Sequence, residues 1–299
     1  MYIVLLTHPA FMPSQSMPRF AQMLEHAYRD LGHDVEVWSP KDHWHRRMAG
    51  SGLAKWAGYV DQYLVFPRWL KGMVKRQPPD TLFVLTDQAL GPWMPWVRHR
   101  PHVVHVHDLL ALRSALGEVP QNPTRFTGRM YQRYIRRGFS MARFFICISN
   151  RTRTDLLRLS EANPDACEVV YNGLNAPFTP MEQDAARRVL ESAGLPDAPR
   201  GMVLHVSGNQ WYKNVAGAVR IYSAYARART DPLPLWLIGV RPGPKERAAL
   251  AELPAQATVH FAYGLSQETL QACYSTARAF LFPSHAEGFG WPIVEAQAC

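Results

Sequence analysis

A chain of 299 residues, at roughly 100–200 residues per domain, is expected to form two modest domains, and an apolar content of 47% supplies cores for both. The net charge of +9 is unevenly placed: residues 1–178 hold 22 basic and 14 acidic side chains, whereas residues 179–299 hold 11 and 10. The first half therefore wants an anionic partner, whether nucleic acid, phospholipid surface or phosphorylated substrate, and this charge says nothing about fold. Cys147, Cys167, Cys273 and Cys299 lie far apart without a Cys-x-x-Cys pair, which argues against a disulfide framework or a zinc site and fits a reducing compartment.

Short β-branched apolar runs alternate with segments of helical period along the chain. The first, Tyr2–Leu6, is too short for a signal peptide and lacks a basic lead-in. It reads as a buried strand, followed by runs at 34–38, 81–85, 102–106, 143–148 and 167–171. A second series occupies 202–206, 234–238, 257–262 and 279–283, with helical patterns near 213–230, 244–253 and 266–276. Strand–helix alternation of this kind predicts two parallel-sheet units. The stretch from Asn172 to Pro180 breaks both periods and marks the linker, giving domains 1–178 and 179–299. No run approaches the roughly 18 apolar residues of a membrane-spanning helix. The final helical segment, Ile293 to Cys299, stops without cap or glycine, so the chain is expected to be truncated at its C terminus.

Ligands bind at the carboxyl ends of strands in open parallel sheets, which directs attention to four strand–loop–helix junctions. In the first, Thr7 to Phe20, Ser14 or Ser16 can cap a helix starting near Pro18, and Arg19 can face an anion. In the second, His105-Val106-His107-Asp108 ends a strand, and alternation puts both histidines on one face. Two histidines without a third ligand are a weak metal signal. Asp108 is expected to orient the loop or cap the segment after it. The third, Ser207 to Asn214, carries Gly208, Asn209 and Lys213, a lysine placed to neutralise a diphosphate or simply to sit in solvent. The fourth, Pro283 to Glu295, has Gly288 and Gly290 before a proline-opened helix; Glu287 and Glu295 can accept paired hydrogen bonds from vicinal hydroxyls, or Glu295 can merely complement the helix dipole. A further turn, Tyr263-Gly264-Leu265-Ser266, precedes a helix that Ser266 can cap. Arg125, Arg129, Arg133, Arg136 and Arg137 fall in one arc of a helix opposite Met130, Tyr131 and Tyr134. That arc is either a solvated face or a surface for anionic lipid; no nucleic-acid signature accompanies it.

Glu287 and Glu295 with seven residues between them, Gly-Phe-Gly after the first and Pro292 before the second resemble the E-x7-E motif of family-4 glycosyltransferases. The resemblance implies an α/β GT-B fold of two facing Rossmann-like domains with parallel sheets, the second incomplete in this chain. It implies that Glu295 holds the nucleotide ribose, and that Glu287 with the amides of Gly288, Phe289 and Gly290 meets the donor sugar. Gly208 and Lys213 match the family's phosphate loop, where Asn209 stands in place of the usual arginine; either Asn209 donates a neutral hydrogen bond while another basic residue supplies charge, or donor affinity is lower. Leu265 lies in the loop that contacts the base, and His107 faces donor phosphate and acceptor. The first junction lacks the paired glycines of many relatives, leaving Ser16 and Arg19 as acceptor-side lining. The implied activity is retaining transfer of a hexose-type unit from a nucleoside diphosphate sugar to a glycan or lipid-linked acceptor hydroxyl, in surface polysaccharide or glycolipid assembly. The nucleotide sugar is a co-substrate, no cofactor or nucleic acid is expected, and with no Asp-x-Asp motif the reaction is expected to be metal-independent. Such an enzyme belongs in the cytoplasm, at the inner face of the membrane. A GT-B nucleotide-sugar epimerase and a non-catalytic module binding sugar nucleotides or polyanions are the alternatives.

Overall fold

The structure, a computed structural model, describes residues 1–11 and 16–299. It comprises two compact units, Met1–Asn175 and Ala176–Cys299. In the first, the chain forms β1 (Tyr2–Leu6), α1 (Ser16–Asp30), β2 (Asp34–Trp38), α2 (His43–Arg47), α3 (Ala54–Val60), α4 (Phe66–Arg76), β3 (Leu82–Leu85), α5 (Met94–Val97), β4 (His102–Val106), α6 (Leu110–Ala115), α7 (Phe126–Phe139), β5 (Phe145–Cys147), α8 (Asn150–Leu159) and β6 (Cys167–Val169). The second holds α9 (Gln183–Ser192), β7 (Met202–Val206), α10 (Val215–Arg227), β8 (Leu235–Ile238), α11 (Pro244–Ala251), β9 (Val259–Ala262), α12 (Gln267–Thr276), β10 (Ala277–Phe280) and α13 (Trp291–Ala298).

Both sheets are parallel, in the orders β2-β1-β3-β4-β5-β6 and β10-β7-β8-β9. Their strands are apolar on both faces because helices cover both. In β1, Val4 and Leu6 join a core with Phe83 and Trp93, while Ile3 and Leu5 pack with Val35 and Val84. In β7, Met202 and Leu204 face one cluster with Trp236 and Tyr274, and Val203 faces another with Tyr222. Each sheet reverses its direction of winding once, between β1 and β3 in the first and between β7 and β10 in the second. At such a reversal the loops leave the strand ends in opposite directions and open a crevice.

Several local expectations need correction. Helix α1 begins at Ser16 itself rather than near Pro18, and Ser14 lies outside the described residues. The last strand runs Ala277–Phe280, not 279–283. It pairs with Met202–Leu204 through a register shift, its ladder closes with Leu281 N donating to Leu204 O at 2.8 Å, and Pro283 has no N–H with which to continue. On α7 the buried face is Ile135, Gly138 and Phe139; of the residues expected opposite the arginines, Tyr131 packs against the first-unit core, while Met130 and Tyr134 remain 46% exposed. That face meets the 3-10 turn Gln88–Trp93 backbone to backbone, and a Cβ added to Gly138 would stand 2.2 Å from the carbonyl carbon of Gly91. All four cysteines are free thiols, and Cys147, Cys167 and Cys273 are buried. Burial pushes the thiols of Cys147 and Cys273 up to about 12.

Candidate functional site

The reversal between β7 and β10 brings together the two most informative loops of the second unit. After β7 the chain makes a 3-10 turn, Trp211–Lys213, then passes through Asn214 at φ 52° before entering α10. Asparagine tolerates this left-handed geometry better than most residues. Its side-chain amide donates to Pro283 O at 3.0 Å, and His285 N donates to Tyr212 O at 2.8 Å, so the loops are laced to each other. Buried His205 adds a third tie. A carbonyl can only accept, so His205 Nδ1 donates to Leu281 O at 2.8 Å, leaving Nε2 to accept the Ser207 hydroxyl at 2.7 Å. Burial lowers the His205 pKa and keeps this tautomer neutral.

Across the crevice Lys213 Nζ lies 2.8 and 3.0 Å from the two carboxylate oxygens of Glu287. The same ammonium stands 5.3 Å from the Tyr212 ring and 5.7 Å from that of Phe282, a cation enclosed by an acid and two π faces. Gly290, at φ 93°, turns the chain into α13, with Pro292 in its first turn. Gly288 and Phe289 are half-buried in the loop before it. Glu295 is 5% exposed, and the Tyr274 hydroxyl donates to its Oε2 at 2.8 Å. Burial and the neighbouring Glu295 raise the Tyr274 pKa, so the phenol remains a donor.

Asn209 does not present an open amide. Its Nδ2 donates to the carbonyl of Arg241, and its Oδ1 accepts from Arg241 N at 2.8 Å, clamping the loop after β7 to the loop after β8. The clamp delivers a residue that sequence reasoning left unnamed: the exposed Arg241 guanidinium lies 5.4 Å over the Tyr263 ring, beyond β9. Leu265 follows Gly264 at φ 63° and packs on the second-unit core, while Ser266 Oγ caps α12 by accepting Thr269 N at 3.1 Å. Gly208 is half-buried next to Gln210, whose side chain a Cβ there would meet at 2.6 Å.

In the first unit His105 and His107 do share a face, with their rings 5.0 and 4.4 Å from that of buried Phe20 on α1. Their environments differ. Among the described residues neither ring nitrogen of His105 has a hydrogen-bond partner, and burial pushes its pKa down to about 3. His107 Nε2 donates to Thr86 O at 2.8 Å, and its backbone N–H to Gln88 Oε1 at 3.0 Å. Asp108 Oδ1 accepts from Leu110 N at 3.0 Å, ordering the turn into α6. Ser16 and Arg19 are exposed on the first turn of α1. One polar pair is not legible in the sequence: His8 Nε2 stands 2.9 Å from Asp87 Oδ2. Among the described residues no three His, Cys, Asp or Glu side chains gather closely enough to hold a metal ion. No helix among them is long and apolar enough to cross a membrane.

The second-unit crevice thus offers a lysine, two carboxylates, a helix start and an exposed arginine, a set suited to an anionic ligand rich in hydroxyls. Residues 17–176 match the family described as Glycosyltransferase Family 4, and residues 191–299 match Glycosyl transferases group 1. The O-antigen chain mannosyltransferase B of Escherichia coli is 23% identical over 220 residues, covering 71% of this chain and 57% of that protein. The D-inositol 3-phosphate glycosyltransferase of Mycobacterium sp. (strain JLS) is 31% identical over 218 residues, covering 69% and 46% respectively. This chain therefore spans about half the length of these curated relatives. Among solved structures, sucrose-phosphate synthase from Thermosynechococcus elongatus superposes with a TM-score of 0.69 at 18% identity, over 100% of this chain and 79% of that one. Anabaena HepE in complex with UDP and glucose gives 0.60 at 16% identity, over 100% and 78%.

Proposed function

The chain belongs to glycosyltransferase family 4 and has the GT-B fold, and from that premise we propose that it moves a hexose-type unit from a nucleoside diphosphate sugar to an acceptor hydroxyl with retention of configuration. The observation that carries this reading is the second-unit crevice, where Lys213 and Glu287 face each other at the sheet reversal and Glu295 lies buried one helix turn beyond. In this role the ammonium meets the diphosphate as the glycosidic bond breaks, Glu295 holds the ribose hydroxyls, and Glu287 with the amides of residues 288–290 positions the sugar. Gly208 gives the diphosphate close approach to the backbone, and the loop at Leu265 receives the base. The sequence lacks an Asp-x-Asp motif, so charge neutralisation is assigned to Lys213 and the α13 start without a metal ion. The leaving phosphate takes the proton of the attacking hydroxyl on the same face, His107 flanks phosphate and acceptor, and Ser16 and Arg19 line the acceptor side.

A surface polysaccharide or glycolipid acceptor fits the first unit, and the place of action would be the cytoplasmic face of a membrane. Exposed Arg68, Lys71 and Lys75 project from α4, and Trp44, Trp56 and Trp69 stand 43%, 62% and 44% exposed nearby in sequence. Exposed cations interleaved with indoles suit an anionic lipid interface.

The test is a thermal-shift screen of nucleoside diphosphates and their sugars, followed by transfer of labelled hexose into membranes of the cells that carry the gene. Stabilisation by one diphosphate and its sugar, with label entering lipid or polysaccharide, is expected. Free epimer formed without acceptor would replace transfer by epimerisation, and binding without turnover would leave a binding module.

A further inference from the structure

The reversal in the first sheet holds a polar pair to which the proposed reaction has so far given no task. Leu6 of β1 pairs with Leu85 of β3, and the ladder continues one step as Thr86 N donates to Leu6 O at 3.0 Å. Two positions past the last paired residues, His8 and Asp87 therefore stand opposite each other at the carboxyl end of the sheet, at the point where ligands bind in this class of fold. Their contact is 2.9 Å between His8 Nε2 and Asp87 Oδ2. Asp87 is itself fixed: its Oδ1 accepts Ala89 N at 2.9 Å, capping the 3-10 turn Gln88–Trp93. Burial alone would raise its pKa, but the hydrogen bonds it accepts from His8 and from the Ala89 N–H outweigh that and hold the carboxyl below its ordinary range, so it is a carboxylate.

A carboxylate can only accept, so Nε2 of His8 is the protonated nitrogen. In the neutral ring Nδ1 is then an unprotonated acceptor with no partner among the described residues. The His8 side chain keeps 13% of its surface exposed, and Asp87 keeps 11%. An imidazole locked by a carboxylate, with its acceptor nitrogen uncommitted and an edge open, is built to receive a hydroxyl.

Resting on the transferase reading above, we infer that His8 is an acceptor-binding residue: its Nδ1 accepts a hydrogen bond from a hydroxyl of the polyhydroxylated acceptor, and Asp87 is the positioning residue that fixes the ring for it. No proton is transferred in this step. The hydroxyl is held while the leaving phosphate performs the deprotonation.

Two isosteric substitutions separate this role from a structural tie. Gln places its amide nitrogen near Nε2 and can keep the bond to Asp87, but offers nothing at Nδ1; Asn places its amide oxygen near Nδ1 and gives up the bond to Asp87. With labelled donor and the producing cells' own membranes as acceptor, His8→Gln should keep its melting temperature and bind nucleoside diphosphate within about twofold of wild type. Its half-saturating membrane concentration should nevertheless rise about tenfold or more, the loss of one uncharged hydrogen bond to substrate. His8→Asn should lose stability yet keep more of the acceptor affinity. The reverse order, with Gln restoring and Asn failing, would make the pair a structural tie and overturn the inference while leaving the transferase reading intact. Unchanged acceptor dependence in both variants would overturn it in the same way. A wild-type protein that neither binds a nucleoside diphosphate nor transfers label would remove the underlying reading, and the inference with it.

Discussion

Lys213 and Glu287, 74 positions apart in sequence, hold each other through contacts of 2.8 and 3.0 Å across the reversal of the second sheet. Their side chains are 14% and 19% exposed, so the pair is largely withdrawn from water. Without ligand its net charge is zero. On the proposed function, a diphosphate entering the crevice would compete with Glu287 for the ammonium, and the freed carboxylate would become available to sugar hydroxyls.

Removing one member of such a pair leaves the other charge buried and uncompensated, which costs more than removing both. Lys213→Met is expected to destabilise the second unit by about 1–3 kcal/mol, with the double variant Lys213→Met/Glu287→Leu regaining part of that loss. Urea unfolding of the four proteins of the cycle measures the coupling. Calorimetry with nucleoside diphosphates should show binding lost in both Lys213 variants.

Arg241 makes a separate prediction. With Lys213 paired to Glu287, the exposed guanidinium over Tyr263 is a cation of the clamped loops with no acid partner among the described residues. Arg241→Ala should weaken nucleoside diphosphate binding about tenfold, or about 1.4 kcal/mol, while leaving affinity for the parent nucleoside unchanged. Equal losses for both ligands would assign Arg241 to the base instead of the phosphates.

Much of this is legible in sequence because the signals are local. A continuous run such as Tyr2–Leu6 reads as a doubly covered strand, and Ser266 before α12 reads as a cap. Glu287, Gly288, Gly290, Pro292 and Glu295 are each identifiable alone, since glycine, proline and acid positions around α13 are a local grammar, whereas Arg241 is not. What stays hidden is pairing across distance. Nothing in the neighbourhood of Asn209 reveals that its amide faces the backbone of Arg241, 32 positions away. Likewise His8 and Asp87 become partners only once β1 and β3 are in register. The edge strand β10 reads wrongly from sequence because its apolar signal, Phe280 to Phe282, begins only at the last paired residue, while Arg278 and Ala279 within the strand are exposed.

The buried His105 sets a pH dependence. Its folded pKa of about 3 lies below the ordinary value of roughly 6.5, so the unfolded chain takes up a proton that the native state refuses. Its contribution is complete above about pH 6.5 and is lost as pH falls, at about 1.4 kcal/mol per unit, until about pH 3. Denaturant midpoints of wild type and His105→Leu should therefore converge, or cross in favour of the variant, between pH 7 and pH 5. The stability difference should shift by about 2 kcal/mol. A difference that stays constant with pH would mean His105 titrates alike in the folded and unfolded chains.

Gly138 provides a test of the first-unit packing. A Cβ there would meet the Gly91 carbonyl carbon at 2.2 Å, backbone against backbone, and neither chain can yield without unseating α7. Gly138→Ala is expected to destabilise by about 3 kcal/mol or more despite its better helix propensity. Gly72→Ala on α4, where nothing lies within 4 Å, should be neutral or stabilising. Circular dichroism melts of the two variants give the comparison.

The distribution of thiols means that the molecule carries its own gauges of local opening. Cys147 and Cys167 sit on neighbouring strands of the first sheet, and Cys273 sits in α12 of the second unit, all shielded from solvent. Alkylating reagents attack thiolates, and buried sulfurs whose ionisation is pushed up, to about 12 for Cys147 and Cys273, are silent until their surroundings come apart. The rate at which each sulfur is modified in unperturbed protein therefore clocks how often its own half of the chain breathes, and whether the two halves do so together.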